Sequence, residues 1–300
     1  MQKILIVIVG PTAVGKTSLS ISLAQKFATQ IISCDSRQIY REMNIGTAKP
    51  TLQEMQAVPH HLLGSVSIHT PFSVADFANE ATRKIEEIFI ANDKAIMVGG
   101  SGLYINAVCN GLDELPGSNP EIKNKLTQIF EQEGIEKLQQ QLQQLDPEFY
   151  ETIDLANSHR LIRAIEVCLI SGKKFSELRS GKKAHHNFKI IKIGVDIERP
   201  QLYDRINKRV EIMMQNGLLD EAKELFPHSS LKALNTVGYK ELFDYFKNKI
   251  SLAEAVKLIQ QNSRNYAKRQ LTWFRKDKEI NWFSWDDESG IENFIRSIAN

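Results

Sequence analysis

The chain opens on an almost unbroken apolar run. Residues 3–10 read KILIVIVG, and a run that short and continuous, closed by glycine, is the pattern of a parallel strand buried on both faces. Leu19, Leu23 and Phe27 then recur at helical spacing over residues 17–27. Residues 30–34 read as a second short strand, 75–89 as a helix and 95–99 (AIMVG) as another buried strand. Strands alternating with helices predict an α/β domain on a parallel sheet. From Pro120 to Gly172 only helical periods remain. Ile135, Leu138, Leu142 and Leu145 make one apolar stripe, with glutamines on the polar face. Pro147 and Asn157 punctuate the block, and Ser158 stands where a helix cap belongs. Strand character returns at residues 188–197 (FKIIKIGVDI), the chain is mostly helical after Pro200, and residues 280–285 read as a last short strand.

Residues 112–120 (LDELPGSNP) are a turn-rich linker. Because strands stand on both sides of the helical block, the block reads as an insertion. The expected division is an α/β core over residues 1–112, a helical insertion over 113–187, and the rest of the core with C-terminal helices over 188–300. The apolar run near the start, residues 4–9, is far short of the roughly 18–20 residues of a membrane span. It also lacks the charged start and cleavage site of a signal peptide. A cytoplasmic monomer with no membrane partner is the expectation. No internal repeat of fixed period is visible.

Composition adds little until it is divided along the chain. At 300 residues, 42% apolar and 25% charged, with a net charge of +2, the sequence is that of a globular protein and excludes wholesale disorder. Cys34, Cys109 and Cys168 lie far apart without a C-x-x-C pair, which argues against a disulfide framework and a cysteine zinc site. Residues 1–158 hold 12 Lys+Arg against 18 Asp+Glu, net −6; residues 159–192 hold 9 against 2, net +7; residues 193–300 hold 17 against 16, net +1. The basic stretch suits a phosphate backbone, although a solvated helix and loop carry charge equally well. Two histidine pairs, His60-His61 and His185-His186, lack companions at metal-ligand spacing and read as packing or loop residues. Trp273, Trp282 and Trp285 could stack on bases or pack, and the basic helix side over residues 264–275 could touch RNA or cover the sheet.

The decisive chemistry lies after the first strand. Gly10, Pro11, Thr12, Ala13, Val14, Gly15, Lys16 and Thr17 match G-x-x-x-x-G-K-[ST], between a strand and a helix, the context of a phosphate-binding P-loop. Backbone N–H groups and the helix N-terminus favour phosphate, Lys16 adds a full positive charge, and the Thr17 hydroxyl can ligate Mg²⁺. The loop predicts a bound polyphosphate, ATP or another nucleotide among the candidates, but nothing in it says that the polyphosphate belongs to a nucleotide. The fold class that follows is α/β, a P-loop NTPase-like parallel sheet with an inserted all-helical domain. The usual hydrolysis set is incomplete, however. The strand that should end in a metal-holding carboxylate runs instead into Gly99-Gly100-Ser101-Gly102, and the carboxylate near the loop is Asp35, after the second strand. Small-molecule kinases and unusual transferases remain.

At this point the chain resembles the bacterial-type tRNA dimethylallyltransferases, also called tRNA isopentenyltransferases. The resemblance spans nearly the whole chain. It rests on the phosphate loop, SCDSRQIY at 33–40 with NIGTAKP at 44–50, PHHL at 59–62, VGGSGLY at 98–104, residues 159–167, residues 205–213, VGYKE at 237–241 and AKRQLTWFR at 267–275. It implies transfer of a dimethylallyl group from dimethylallyl diphosphate to the N6 amine of the adenosine 3′ to the anticodon of tRNA, with Mg²⁺ required and diphosphate released. By the same resemblance Asp35 is the base, Arg209 a further cation on the leaving group, and Ser101 a hydroxyl where the family usually has threonine. Asp35, Ser36, Arg37, Gln38 and Ser101 would receive the extruded adenosine. Lys123, His159, Arg160, Leu161, Ile162 and Arg163 would contact the anticodon stem-loop, His159 standing where glutamine is common.

Two other readings stay open on the residues alone: a P-loop kinase with Asp35 as base for a hydroxyl acceptor, and an RNA-binding module with an idle phosphate loop.

Overall fold

The computed structural model describes residues 2–179, 181 and 184–299. Its elements follow in chain order: β1 (Ile4–Val9), α1 (Lys16–Lys26), β2 (Ile31–Cys34), α2 (Leu52–Ala57), β3 (His60–His61), α3 (Val74–Ala91), β4 (Lys94–Gly99) and α4 (Gly102–Asn110). Then come α5 (Pro120–Glu133), α6 (Ile135–Leu145), α7 (Pro147–Tyr150), α8 (Ser158–Ser171) and α9 (Phe175–Leu178). The chain closes with β5 (Lys189–Asp196), α10 (Arg199–Gln215), α11 (Leu218–Leu225), α12 (Tyr239–Phe246), α13 (Leu252–Phe274), β6 (Ile280–Ser284) and α14 (Glu288–Ala299).

Two compact units emerge. One joins the residues up to Cys109 with those from His185 onward; the other is Asn110–Ala184. The sequence reading set these bounds at 113 and 187. The first unit is a six-stranded sheet in the order β3-β2-β4-β1-β5-β6, with every pairing parallel. β1, β4 and β5 needed no alternation in sequence because helices cover both faces. Leu5, Val7 and Val9 face a core shared with α3, α4, α11 and α12. Ile4, Ile6 and Ile8 face another, shared with α1, α10 and α14. Each fully buried side chain of this size stabilises the fold by about 1.5–3 kcal/mol.

β3 was not foreseen as a strand. It is two residues long, too short to show a period, and gains its definition by pairing Ile31 with His60 and Ile32 with His61 at the sheet edge. Both histidines are anchored locally: His60 Nδ1 contacts the Val58 carbonyl at 2.7 Å and His61 Nε2 the Gln30 side chain at 2.6 Å. His186 meets the Cys109 carbonyl at 3.1 Å. Among the described residues no group of three or more His, Cys, Asp or Glu is placed to hold a metal, and no helix is long and apolar enough to cross a membrane.

In the helical unit the stripe read from α6 buries Leu138 and Leu142 against Leu126 of α5 and Leu161 and Ile165 of α8. Asp146, fully buried, is satisfied by the backbone N–H of Phe149 and by the N–H and hydroxyl of Ser176. It therefore fixes the chain's turn into α7 and the start of α9.

Register positions the chemistry. Val9 pairs with Gly99 on one side and Gly194 on the other, and Gly99 also pairs with Cys34. The residues just beyond these ends (Gly10, Asp35, Gly100 and Ser101) therefore gather at one carboxyl edge. β1 is flanked there by strands reached in opposite directions, the switch point at which open α/β sheets form a crevice.

Candidate active site

The phosphate loop turns between β1 and α1 with Gly10 at φ 151°, Ala13 at 66° and Gly15 at 109°. At Gly10 a Cβ would sit 2.4 Å from the Val195 carbonyl oxygen, so glycine is required by both conformation and space. The loop is held from outside by Gln270 of α13, which is buried. Its Oε1 accepts the Thr12 N–H at 2.8 Å and its Nε2 donates to the Gly100 carbonyl at 3.0 Å. One side chain thereby ties the phosphate loop to the glycine turn after β4.

Lys16 begins α1 and curls back, its ammonium donating to the carbonyls of Gly10 at 3.0 Å and Pro11 at 2.7 Å. Its pKa is lowered to about 7, first by burial of the ammonium, then by the nearby Arg209 cation, with Asp35 opposing. Arg209, on α10, donates to the Thr12 hydroxyl at 3.2 Å. Burial lowers its pKa as well, again against the pull of Asp35. Arg205, one turn earlier, reaches the Val14 carbonyl at 3.3 Å and stacks on Trp285 at 3.7 Å from the ring centroid. Three cations thus converge on one short loop.

Asp35 follows β2 directly. Its Oδ1 accepts from the backbone N–H of Arg37 at 2.8 Å and of Gln38 at 3.3 Å, a local turn that fixes the carboxylate's orientation. Ser101 Oγ accepts the Ser36 N–H at 2.9 Å, so the turn after β4 supports the turn after β2. Tyr266 of α13 is bonded to the same serine, and burial pushes its phenol pKa up. Arg37 does not project freely: its guanidinium donates to the carbonyls of Lys232 at 3.3 Å and Ala233 at 3.0 Å. Gln38 donates to the carbonyls of Thr47 and Ala48, both at 3.1 Å.

Two chambers open at this edge. One, of about 320 Å³, lies over the loop and is lined by Lys16, Thr17, Gly99, Gly100, Lys49 and His60. The other, of about 380 Å³, has an apolar wall of Ile206, Val210, Met213, Val237 and Ile259, with Ser36, Arg37, Lys240 and Arg269 among its polar residues. Thr12, Ala13, Asp35, Thr47, Arg209 and Tyr266 line both. One acid, Asp35, and one of the cations, Arg209, therefore stand where the chambers meet, while Glu54 lines the loop chamber alone. Oxygen donors for a hard cation are present in the first: the Thr17 hydroxyl and the Asp35 carboxylate. His60 Nε2 is buried in this chamber's wall without a partner.

The wall that carries Thr47 is fixed by a residue the sequence did not single out. Glu221 of α11 accepts the backbone N–H groups of Asn44, Ile45 and Gly46 at 3.0, 2.8 and 2.9 Å, and the Tyr239 hydroxyl at 2.7 Å. Gln270, Tyr266, Arg205 and Glu221 all went unassigned. The first three fell inside quoted stretches, but no spacing rule told which face of α10 or α13 turns to the loop. Glu221 lay in none of them.

The family model for IPP transferase matches residues 38–277. The chain belongs to the IPP transferase family. It is 52% identical over 301 residues to a tRNA dimethylallyltransferase of Christiangramia forsetii, covering 100% of both chains. Its fold is similar to the full-length tRNA isopentenylpyrophosphate transferase of Bacillus halodurans, with a TM-score of 0.73 at 38% identity over 99% of this chain and 96% of that one. It is also similar to a eukaryotic dimethylallyltransferase acting on tRNA, with a TM-score of 0.82 at 28% identity over 96% of this chain and 75% of that one. The parallel sheet with its phosphate loop is thus the IPP transferase core.

The helical unit of this IPP transferase treats its candidate RNA contacts unequally. His159 and Arg160 are exposed in the first turn of α8, and Lys123 is half-buried on α5. Leu161 and Ile162, expected among the contacts, are 0% and 6% exposed and belong to the unit's core; at helical spacing their side chains point inward. Arg163 is committed within its own unit. It donates to Glu166 at 2.7 Å and to the Pro116 carbonyl at 2.6 Å. Glu166, 1% exposed, also accepts from the Ser118 hydroxyl and the Asn119 N–H. Arg163 is a strut for the linker within its own unit. Lys192, the last cation of the basic stretch, is also neutralised, by Asp277 at 2.7 Å and Glu279 at 2.8 Å. Lys182 and Lys183 lie outside the described residues.

Proposed function

We propose that the chain transfers a dimethylallyl group from dimethylallyl diphosphate to the N6 amine of the adenosine 3′ to the anticodon of tRNA, with Mg²⁺ and as a cytoplasmic monomer. The observation that carries the reading is the pair of chambers joined at Asp35 and Arg209. A diphosphate fits the loop chamber, and a five-carbon group fits the apolar wall beside it. The C–O bond to be broken then lies at the junction.

An adenine amine is a weak nucleophile, because its lone pair is delocalised into the ring. The chain's residues assist from two sides. Loop N–H groups, Lys16 and Arg209 stabilise charge as diphosphate departs, the kind of preorganised electrostatics that is usually the largest catalytic term. Asp35, held by two backbone N–H groups, receives the amine proton as the new N–C bond forms. Ser101, tied to Ser36, keeps the carboxylate's turn in place. The target base must leave its stack to arrive there, and Ser36, Arg37 and Lys240 line the chamber that would receive it.

Mg²⁺ suits the donors of the loop chamber. Magnesium takes few protein oxygens and keeps several waters; Thr17 would offer its hydroxyl oxygen, and the unpartnered His60 Nε2 offers a bound water an acceptor. When bound, it neutralises charge on the leaving diphosphate. The three cysteines are free and buried, in keeping with a reducing cytoplasm.

Incubating the protein with Mg²⁺, labelled dimethylallyl diphosphate and unmodified tRNA tests the reading. Label is expected in the adenosine next to the anticodon. RNA without label, alongside ATP consumption coupled to a small hydroxyl acceptor, would replace this reading with a kinase.

A further inference from the structure

α10 presents cations on more than one face. Arg205 and Arg209 turn to the phosphate loop, whereas Arg199 and Tyr203, one turn apart, lie on another side of the helix. There Tyr203 gathers three cations. The Arg199 guanidinium is 5.4 Å from its ring centroid, that of Arg264 5.9 Å and the Lys268 ammonium 5.9 Å. Arg199 Nε donates to the phenol oxygen at 2.8 Å, and Arg264 is aimed by Asn207, whose Oδ1 accepts at 2.5 Å. Burial pushes the Tyr203 phenol pKa up, but hydrogen bonds from Arg199 and Lys268 hold it below its ordinary value.

Among the described residues none of the three cations forms an ion pair with a carboxylate. Three like charges around one ring repel each other, and among the described residues no carboxylate pairs with any of them, although Glu198 lines the adjoining cleft. Beside them lies a cleft of about 810 Å³ at the carboxyl ends of β5 and β6, lined by Arg199, Tyr203, Lys268, Trp282 and Trp285. Of its carboxylates, Asp196 is taken by Arg275 and Asp286 by Ser284, leaving Glu198 at the rim. Trp285 keeps 38% exposure while Arg205 stacks on it. Unpaired cations beside exposed aromatic faces are what a single RNA strand needs: charge for its phosphates and flat surface for its bases. A free phosphate or diphosphate would use the cations and leave the aromatic walls idle.

We propose that this cleft binds the sugar-phosphate backbone of the RNA substrate, one phosphate seated between Arg199 and Lys268, with Arg264 behind them at Tyr203, and a neighbouring base against Trp285. The proposal rests on RNA as the acceptor and deepens that reading with a second contact apart from the two chambers.

The test uses the double variant Arg199→Gln, Lys268→Gln, with Lys257→Gln, Lys278→Gln as a control of equal charge change. Unmodified tRNA affinity is measured against salt without dimethylallyl diphosphate, so that it reads the cleft even if no prenyl group is transferred. Removing the two cations that hold this phosphate should flatten the log–log salt slope by about 0.7–0.9 and weaken tRNA binding about 4- to 5-fold near 0.15 M salt. Turnover at saturating tRNA and the KM for dimethylallyl diphosphate should stay near wild type. An unchanged slope overturns the proposal. So does an equal loss in the control, which would mean a diffuse field and no site. A raised KM for dimethylallyl diphosphate with intact tRNA binding also overturns it, by assigning the cations to a small anion.

Discussion

Raising the pH should weaken diphosphate binding, because the free site keeps Lys16 only partly charged. Its pKa is about 7, through burial of the ammonium and the neighbouring Arg209. A diphosphate beside it reverses the balance, since an opposite charge favours the ammonium form. The sign follows from linkage: the empty site holds fewer protons than the occupied one, so binding takes up a proton, and affinity falls as pH rises. At pH 8 about nine in ten free sites are neutral at Lys16, and each further pH unit costs up to about tenfold, or about 1.4 kcal/mol. Diphosphate has protons of its own to lose, so the affinity curve alone is ambiguous. Calorimetric titration in two buffers of different ionisation enthalpy counts protons directly. Lys16→Arg carries its charge at every pH and reports the ligand's share. Wild type should take up about 0.9 proton more than the variant at pH 8. Equal counts between pH 7 and 9 would refute the reasoning and return Lys16 to an ordinary lysine.

Three further outcomes follow from named contacts. Asp35→Asn keeps the shape of the turn after β2 but removes the base, so single-turnover transfer should slow by about 10²-fold or more; a near-wild-type rate would dismiss Asp35 from proton transfer. Gln270→Leu deletes the bridge between Thr12 and Gly100 and leaves two backbone groups without a partner, which should cost about 1–3 kcal/mol for each left dry, read as a lowered urea midpoint, together with a raised KM for dimethylallyl diphosphate. Arg163→Ala removes the strut to Glu166 and Pro116, so the helical unit should lose about 1–3 kcal/mol, less than a fully buried pair because the Arg163 side chain is 36% exposed. The salt slope of tRNA binding should not change, and a flatter slope would restore Arg163 to the RNA.

The strands were legible because burial on both faces leaves no choice of residue: runs such as ILIVIV have no other economical home. The phosphate loop was legible because phosphate recognition is a local backbone shape. What stayed hidden depends on contacts far apart in the chain. Gln270 meets Thr12 across 258 residues and Glu221 meets Ile45 across 176; nothing local in either segment announces the other. The same limit explains Arg163. A basic residue in a basic stretch reads as an RNA contact, and nothing local announces its bonds to Pro116 and the buried Glu166. Leu161 and Ile162 show the reverse: the apolar spacing of Leu161, Ala164, Ile165 and Cys168 along α8 was local but went unread, and the resemblance drew them toward the RNA instead.

The charge arrangement at the sheet edge argues for departure over hydrolysis. Lys16, Arg205 and Arg209 surround the loop, and Asp35 is the acid shared by both chambers. β4, where a metal-holding carboxylate would be sought, ends instead in Gly99 and Gly100, packed against Cys34 and Gln270 too closely for any side chain. At Gly99 an added Cβ would lie 2.0 Å from the Cys34 carbonyl oxygen, a backbone clash that excludes an acid; at Gly100 it would lie 2.0 Å from the Gln270 amide nitrogen, so an acid there would displace the side chain that bridges Thr12 and Gly100. The loop is therefore equipped to hold negative charge as it accumulates. Asp35, set back at the junction, is equipped to take a proton from whatever attacks the carbon attached to it. That division of labour explains why a fold so often used to cut phosphoanhydrides can instead let a whole diphosphate go.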